Sequence, residues 1–328
     1  MIDVRRLTVL RTVAEHGSFN RAAAALLLTP SAVSQQVAAL ERGLGTAVVE
    51  RSTRGVRLTE AGRLLVDAAT AISAELRHAE EQIGRLGAAR HRLTLATFTS
   101  GGRHLLPGVL SRFAADHPDV ELRILEREPE DSLPMVREGA ADLALAYHFD
   151  GPLPVLPGDR SGLDWEPLMD DPLSVVLPEG HRLAGRDTLD LAELAEERWV
   201  MGCLKTEAFL RRHAAVAGFD LRVAGSTTDY FFARSLVAAG VGVSLVPYVA
   251  LDPVLPGTRT VPVTPPRPAR HFGIARARRR PHPHAEALAR LLREAAREQR
   301  ERQDQPGQQG LQQDRQPAAG SDGGAVRG

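Results

Sequence analysis

Residues 18–58, SFNRAAAALLLTPSAVSQQVAALERGLGTAVVERSTRGVRL, decide the fold. Ser18 is a good N-cap, and the pattern after it predicts a helix through Leu27. Thr29-Pro30 then sets a capping hydroxyl before the residue favoured at a first helical position, so a second helix starts there. Two short helices therefore meet across a tight turn. In the second, Val33, Val37, Leu40 and Leu44 share one face, while Ser31, Ser34, Gln35 and Ala38 form a stripe nearly opposite. The apolar face packs inward and the small, amide-bearing face stays outside. The run Val48 to Leu58 then alternates and turns near Gly55, which predicts a two-stranded wing carrying Arg51, Arg54 and Arg57.

Small residues let a helix approach a major groove closely, where an amide pairs with adenine and hydroxyls reach base edges or phosphates. The expected contacts to double-stranded DNA are Thr29, Pro30, Ser31, Ser34 and Gln35 on the helix, with Arg51 and Arg54 on the wing. Residues 1–63 carry nine arginines against five acidic residues, a formal +4 inside a chain of zero net charge. A basic module of this kind is the electrostatic footprint of nucleic-acid binding.

The combination SFNRAAAALLLTPSAVSQQVAALERGLG…ERSTRGVRLTEAG resembles the N-terminal domain of LysR-type transcriptional regulators, and by pattern the likeness runs over roughly the first 300 residues. Many members carry Phe where this chain has Val49, a change in core packing that leaves the DNA contacts untouched. The resemblance implies a winged helix-turn-helix over 1–58, a linker helix over 59–88 and a two-lobed α/β effector domain resembling type 2 periplasmic binding proteins. Lobe I takes 91–162 and 268–300, and lobe II takes 163–267. The tail 303–328, rich in Gln, Gly and Pro, is expected to be disordered.

In the linker, Leu65, Ala69, Ile72, Leu76, Ala79, Ile83 and Leu86 are spaced alternately by four and three residues, a short heptad seam. The same spacing also suits a helix packed on its own domain. The family resemblance implies a dimerising helix, with effector domains pairing dimers into a homotetramer, and adds RNA polymerase as an expected partner.

From Leu93 the pattern alternates short strands and helices: a strand ending at Thr97, a helix from Gly102 to Ala115, a strand Glu121–Leu125, a helix Asp131–Glu138 and a strand Asp142–Tyr147. This order predicts a parallel sheet with ligands at the strand ends. A second unit begins near Leu163, with strands Leu173–Leu177, Arg198–Met201, Leu221–Ala224 and Gly242–Val246. The proline-rich run Val261–Pro268 suits a crossover back to the first sheet, because proline lacks the ladder donor.

The effector candidates lie at the strand ends of both lobes: Ser100, Gly101, Gly102 and Tyr147 on the first, Met201, Gly202, Cys203 and Thr228 on the second. Free N–H groups at helix starts favour a small, anionic effector. Gly101 and Gly102 also suit simple relief of backbone strain, and Cys203 suits a small buried hydrophobe. Glu128 stands where some relatives place an effector-binding hydroxyl.

A single cysteine leaves no intramolecular disulfide and no CxxC metal site, which excludes the two-cysteine thiol switch of peroxide-sensing family members. His282 and His284 are too few for a metal site, and the arginine run 276–280 reads as solvated surface. No cofactor is expected. No apolar run follows Met1 and none approaches membrane-spanning length, so a cytoplasmic protein without membrane contact is expected. An enzyme would need a motif such as GxSxG, HExxH or a P-loop, and none is present. A secreted solute receptor would explain the cleft alone.

Overall fold

The computed structural model describes residues 2–52, 55–86, 91–149, 153–154, 162–265, 267–278 and 282–304. The N-terminal module starts with α1 (Val4–His16), capped by Asp3, whose carboxylate accepts from the Arg5 amide at 2.9 Å. Helix α2 (Phe19–Ala25) is capped by Ser18, and α3 (Pro30–Leu44) by Thr29, whose hydroxyl accepts from the Ala32 amide at 3.2 Å. Their axes turn by 107°, within the range of a helix-turn-helix. Helix α2 stops two residues before the expected Leu27, because Leu27 itself takes a left-handed conformation (φ 55°) and breaks the helix.

Val33, Val37 and Leu40 pack with Leu10 and Val13 of α1, whereas Leu44, at the helix end, stays partly exposed. Strands β1 (Val49–Ser52) and β2 (Gly55–Leu58) pair antiparallel, with Val49 buried in the same core. The Glu41 carboxylate of α3 accepts from the Val48 and Val49 amides at 2.9 and 3.4 Å, which fixes the wing to the helix.

Thr59 caps α4 (Glu60–Leu86), its hydroxyl accepting from the Gly62 amide at 3.0 Å. The seam expected along this helix divides. Leu65, Ala69 and Ile72 join the core of the chain's own N-terminal module, whereas Leu76 and Ile83 are 56% and 68% exposed.

The remaining chain forms two lobes around one mixed seven-stranded sheet. Strand β3 (His91–Thr97) pairs parallel with β4 (Val120–Glu126) and β5 (Leu143–Phe149), linked by α5 (Thr99–Asp116) and α6 (Pro129–Arg137). Helix α5 begins at Thr99 rather than Gly102. Strand β6 runs unbroken for 16 residues, Leu163–Pro178, and serves both lobes. Its first part pairs with β11 (Ala269–Ala277), which lies antiparallel beside β5 in lobe I. From Leu173 onward it pairs with β9 (Ser244–Pro247) on one side and β10 (Thr258–Pro262) on the other. The division expected at Leu163 therefore falls about ten residues early: the strand changes partners at Pro172/Leu173.

Lobe II adds β7 (Arg198–Met201) and β8 (Arg222–Ser226), with α7 (Leu204–Ala217) and α8 (Tyr230–Ala238). Trp199, Phe209 and Leu245 centre its core, while Leu93, Phe113 and Leu145 centre that of lobe I with α9 (Ala285–Asp304). Gln303 and Asp304, expected in the tail, are helical; the expected disorder of 305–328 lies outside the described residues, as does most of the expected hinge loop 151–158.

Where the strands cross between lobes, Arg270 of β11 faces Asp171 of β6 in register. Arg270 Nε and Nη2 donate to Asp171 Oδ2 at 3.0 and 2.6 Å, and Asp171 Oδ1 accepts from the Val249 amide at 3.0 Å. The side chains are 1% and 0% exposed.

Two stability predictions follow from these contacts. Removing one partner of a buried pair strands the other charge, so Asp171→Asn is expected to lower the unfolding free energy by about 3–5 kcal/mol. Replacing both residues with leucine is expected to cost less than that single change in urea titrations; equal or greater loss contradicts the account. At Gly62 a Cβ would meet the Val48 carbonyl oxygen at 2.0 Å. Gly62→Ala is therefore expected to destabilise by about 1–3 kcal/mol, overriding the gain of up to ~1 kcal/mol from alanine's helix propensity. A raised midpoint on thermal melting would refute it.

Candidate functional site

The outward side of α3 presents Ser31 and Gln35 exposed to solvent, with Ser34 partly covered between them. Thr29 and Pro30 are exposed at the helix start, but the Thr29 hydroxyl is engaged as the cap. Arg51 lies in β1 and Arg57 is exposed on β2, whereas Arg54 falls outside the described residues. The Val56 amide donates to the Gly17 carbonyl at 3.1 Å, so the wing also leans on the end of α1. Small exposed side chains and a neighbouring basic hairpin make this face fit a polyanion with readable base edges.

The second candidate lies between the lobes. One small pocket, about 10 Å³, takes walls from both: Ser100 and Tyr147 from lobe I, Cys203 and Thr228 from lobe II, with Arg270 at the crossing. That volume holds about one water molecule. Tyr147 Oη donates to Glu128 Oε2 at 2.8 Å and lies 3.6 Å from Cys203 Sγ. With the phenolic proton on Glu128, the thiol is the donor to the phenolic oxygen. Burial pushes the Tyr147 phenol far above its ordinary range, with Cys203 and Glu128 adding to the shift, so it stays protonated. Burial likewise raises Tyr230, whose hydroxyl is hydrogen-bonded to Thr206.

Four expected residues do not line this pocket. Met201 is 2% exposed and belongs to the core of lobe II. Gly101, Gly102 and Gly202 serve close packing: a Cβ at Gly101 would meet the Phe98 ring at 2.3 Å, and one at Gly202 the Tyr230 ring at 2.4 Å. A Cβ at Gly102 would reach the Thr97 methyl at 3.0 Å. Gly101 and Gly202 thus leave room for two aromatic rings of the pocket wall close to the backbone. Ser100 does reach the pocket, but its hydroxyl accepts from Arg270 Nη2 at 3.2 Å.

Sequence reasoning missed Phe98, Tyr230 and Arg270. Arg270 carried no local signal, since its partner Asp171 is 99 residues away. The guanidinium sits 4.7 Å from the Tyr147 ring centroid and 5.5 Å from that of Tyr230, and Asp171 matches its charge. At the rim, Lys205 Nζ is 2.6 Å from Glu130 and 3.6 Å from Glu128. Each of these cations faces at least one carboxylate, so the pocket holds no unmatched positive charge, which removes the electrostatic basis for an anion at its centre. Among the described residues no cluster of His, Cys, Asp and Glu suits a metal ion, and no single helix is long and apolar enough to cross a membrane.

Known proteins match both parts of the chain. Residues 4–63 match the model of the bacterial regulatory helix-turn-helix protein, LysR family, and residues 87–297 that of the LysR substrate binding domain. A probable hydrogen peroxide-inducible genes activator of Mycobacterium avium is 34% identical over 272 residues, 80% of this chain and 84% of the relative. The RuBisCO operon transcriptional regulator of Allochromatium vinosum is 33% identical over 248 residues, 75% and 79% of the two chains. An OxyR mutant of Corynebacterium glutamicum, solved with hydrogen peroxide bound, superposes with a TM-score of 0.52 at 27% identity, covering 93% of this chain and 97% of that one. A helix-turn-helix with its reading face outward, joined to two lobes that close on one pocket, thus meets a family match over most of the chain: the protein belongs to the LysR family of effector-controlled, DNA-binding transcriptional regulators, which are not enzymes.

Proposed function

We propose that Gln35 and Ser34 of α3, with Ser31 beside them and Arg51 and Arg54 of the wing, read the operator, while Thr29 and Pro30 set the helix start against the phosphates. The exposed stripe opposite a buried apolar face supports this reading. Gln35→Ala is expected to relax base preference at one position of each half-site and to cost about 1–3 kcal/mol there. Unchanged selection of sites from a random DNA pool would overturn the assignment.

Dimerisation uses the open half of α4, and the effector domains join dimers into a tetramer that engages RNA polymerase in the cytoplasm. Leu76 and Ile83 support the dimer seam, because the first half of the helix is already committed to the chain's own core. Leu76→Asp with Ile83→Asp places charges in a seam that must dehydrate, and sedimentation is expected to show a smaller assembly with the fold intact. Ile72 is unsuited to that test, since it also packs within the N-terminal module.

The effector reading rests on one observation: the single thiol of Cys203 lines a pocket closed by both lobes, 3.6 Å from the Tyr147 hydroxyl. A cavity this small, with no unmatched positive charge, favours a neutral molecule of a few atoms over an anionic metabolite. Hydrogen peroxide has that polarity and few atoms, and it is named for several relatives. The Cys203 sulfur attacks one peroxide oxygen as the thiol proton passes to the other, so the S–O bond forms, the O–O bond breaks and the leaving oxygen departs as water. Sulfur is oxidised and peroxide reduced, leaving a sulfenic acid in the cleft. Dimedone trapping with mass spectrometry is expected to label Cys203 after peroxide treatment, with a matching change in gel-shift affinity. An unlabelled Cys203 at millimolar peroxide would refute this chemistry.

A further inference from the structure

Helix α6 reaches from the cleft to the N-terminal module, and charged groups meet it at both ends. Its nine residues make it about 13 Å long. Ser132 and Val136 on it are fully buried, and Val136 packs with Ala96 and Ala144 of the lobe I sheet. At the cleft end Glu128, in the N-cap position, accepts from Tyr147 Oη at 2.8 Å, and Glu130 meets Lys205 Nζ of lobe II at 2.6 Å. The position of lobe II therefore bears directly on the first turn of α6.

The other end looks out of the lobe. Glu138, the C-cap residue, stands between two arginines: its Oε1 lies 4.0 Å from Arg11 Nη1 of α1, and its Oε2 lies 4.0 Å from Arg77 Nη2 of α4. The next residue touches α4 as well, since a Cβ at Gly139 would lie 3.7 Å from the Ala74 carbonyl oxygen and 3.9 Å from Arg77 Cδ. Both ion pairs stop short of hydrogen bonding. Arg11 makes that shortfall costly, because its side chain is only 17% exposed and its Nε and Nη1, shut off from water, make no hydrogen bond among the described residues. Glu15, one turn along α1, lies 3.4 Å from Nε without closing that bond.

We propose that α6 is the strut by which the cleft acts on the DNA-binding module, and that Glu138 is its point of engagement. A shift of α6 toward the module by about 1 Å brings the carboxylate within hydrogen-bond reach of Arg11 and Arg77, and a shift away releases both. The first arrangement satisfies buried donors and holds lobe I against α1 and α4; the second frees the module to turn. A state of the cleft that favours either position of α6 biases the module by that same difference. The route does not depend on which molecule the cleft takes.

The test perturbs the strut at its cleft end and reads the response at the other, by hydrogen exchange of the full chain followed by mass spectrometry. Lys205→Met removes the cation that meets Glu130 and Glu128 while keeping an apolar stem. It is expected to change amide exchange in α1 and around Arg77 of α4 by about threefold or more. In a Glu138→Gln background the same change is expected to leave those amides as they stand in Glu138→Gln alone, with circular dichroism melts showing that each variant is folded. Exchange in α1 and α4 unmoved by Lys205→Met, or moved equally with and without Glu138→Gln, would overturn the proposal.

Discussion

The ion pair between Arg270 and Asp171 holds the junction on which both lobes depend. Taking two charges out of water is expensive, and the arrangement around them offsets that cost with unusual completeness. Asp171 receives two donors from the guanidinium and one from the Val249 amide, while Arg270 also donates to Ser100. Four aromatic rings, Phe98, Tyr147, Tyr230 and Phe272, surround the guanidinium within 5.5 Å of its centre. One contact thus fixes the strand crossing, the start of α5 and the wall of the cleft together.

The same pair sets the chemistry of the cleft. A free arginine there would draw an anion, but one already neutralised serves as a rigid polar floor. Tyr147, protonated and donating to Glu128, presents its phenolic oxygen toward the thiol from the other side.

The N-terminal module was legible because its signals are local. Ser18, Thr29-Pro30 and the spacing of Val33, Val37 and Leu40 each act within a few residues, and the structure uses them as caps and core. Strand β6 was half hidden for the opposite reason. Its lobe I part contains Pro167, two adjacent acids and Pro172, which read as loop until β11 supplies a partner a hundred residues later. The cleft was readable only in part: Ser100, Tyr147 and Cys203 sit at strand ends, where pockets form, but Arg270 gains its meaning from a partner distant in sequence. Glycines 101 and 202 were read as ligand contacts when their role is to admit the rings of Phe98 and Tyr230. The α4 spacing suited both a partner seam and packing on the chain's own domain, and it could not show that the helix divides, with Leu65, Ala69 and Ile72 on its own core.

The carboxylate of Glu41 has a consequence beyond the stability of the wing. By accepting from two successive amides at the start of β1, it makes α3 and the hairpin one solid piece. Such a piece has no internal joint between major-groove helix and flanking hairpin. Any command arriving through α4 must then swing both together, as a spanner turns with its handle.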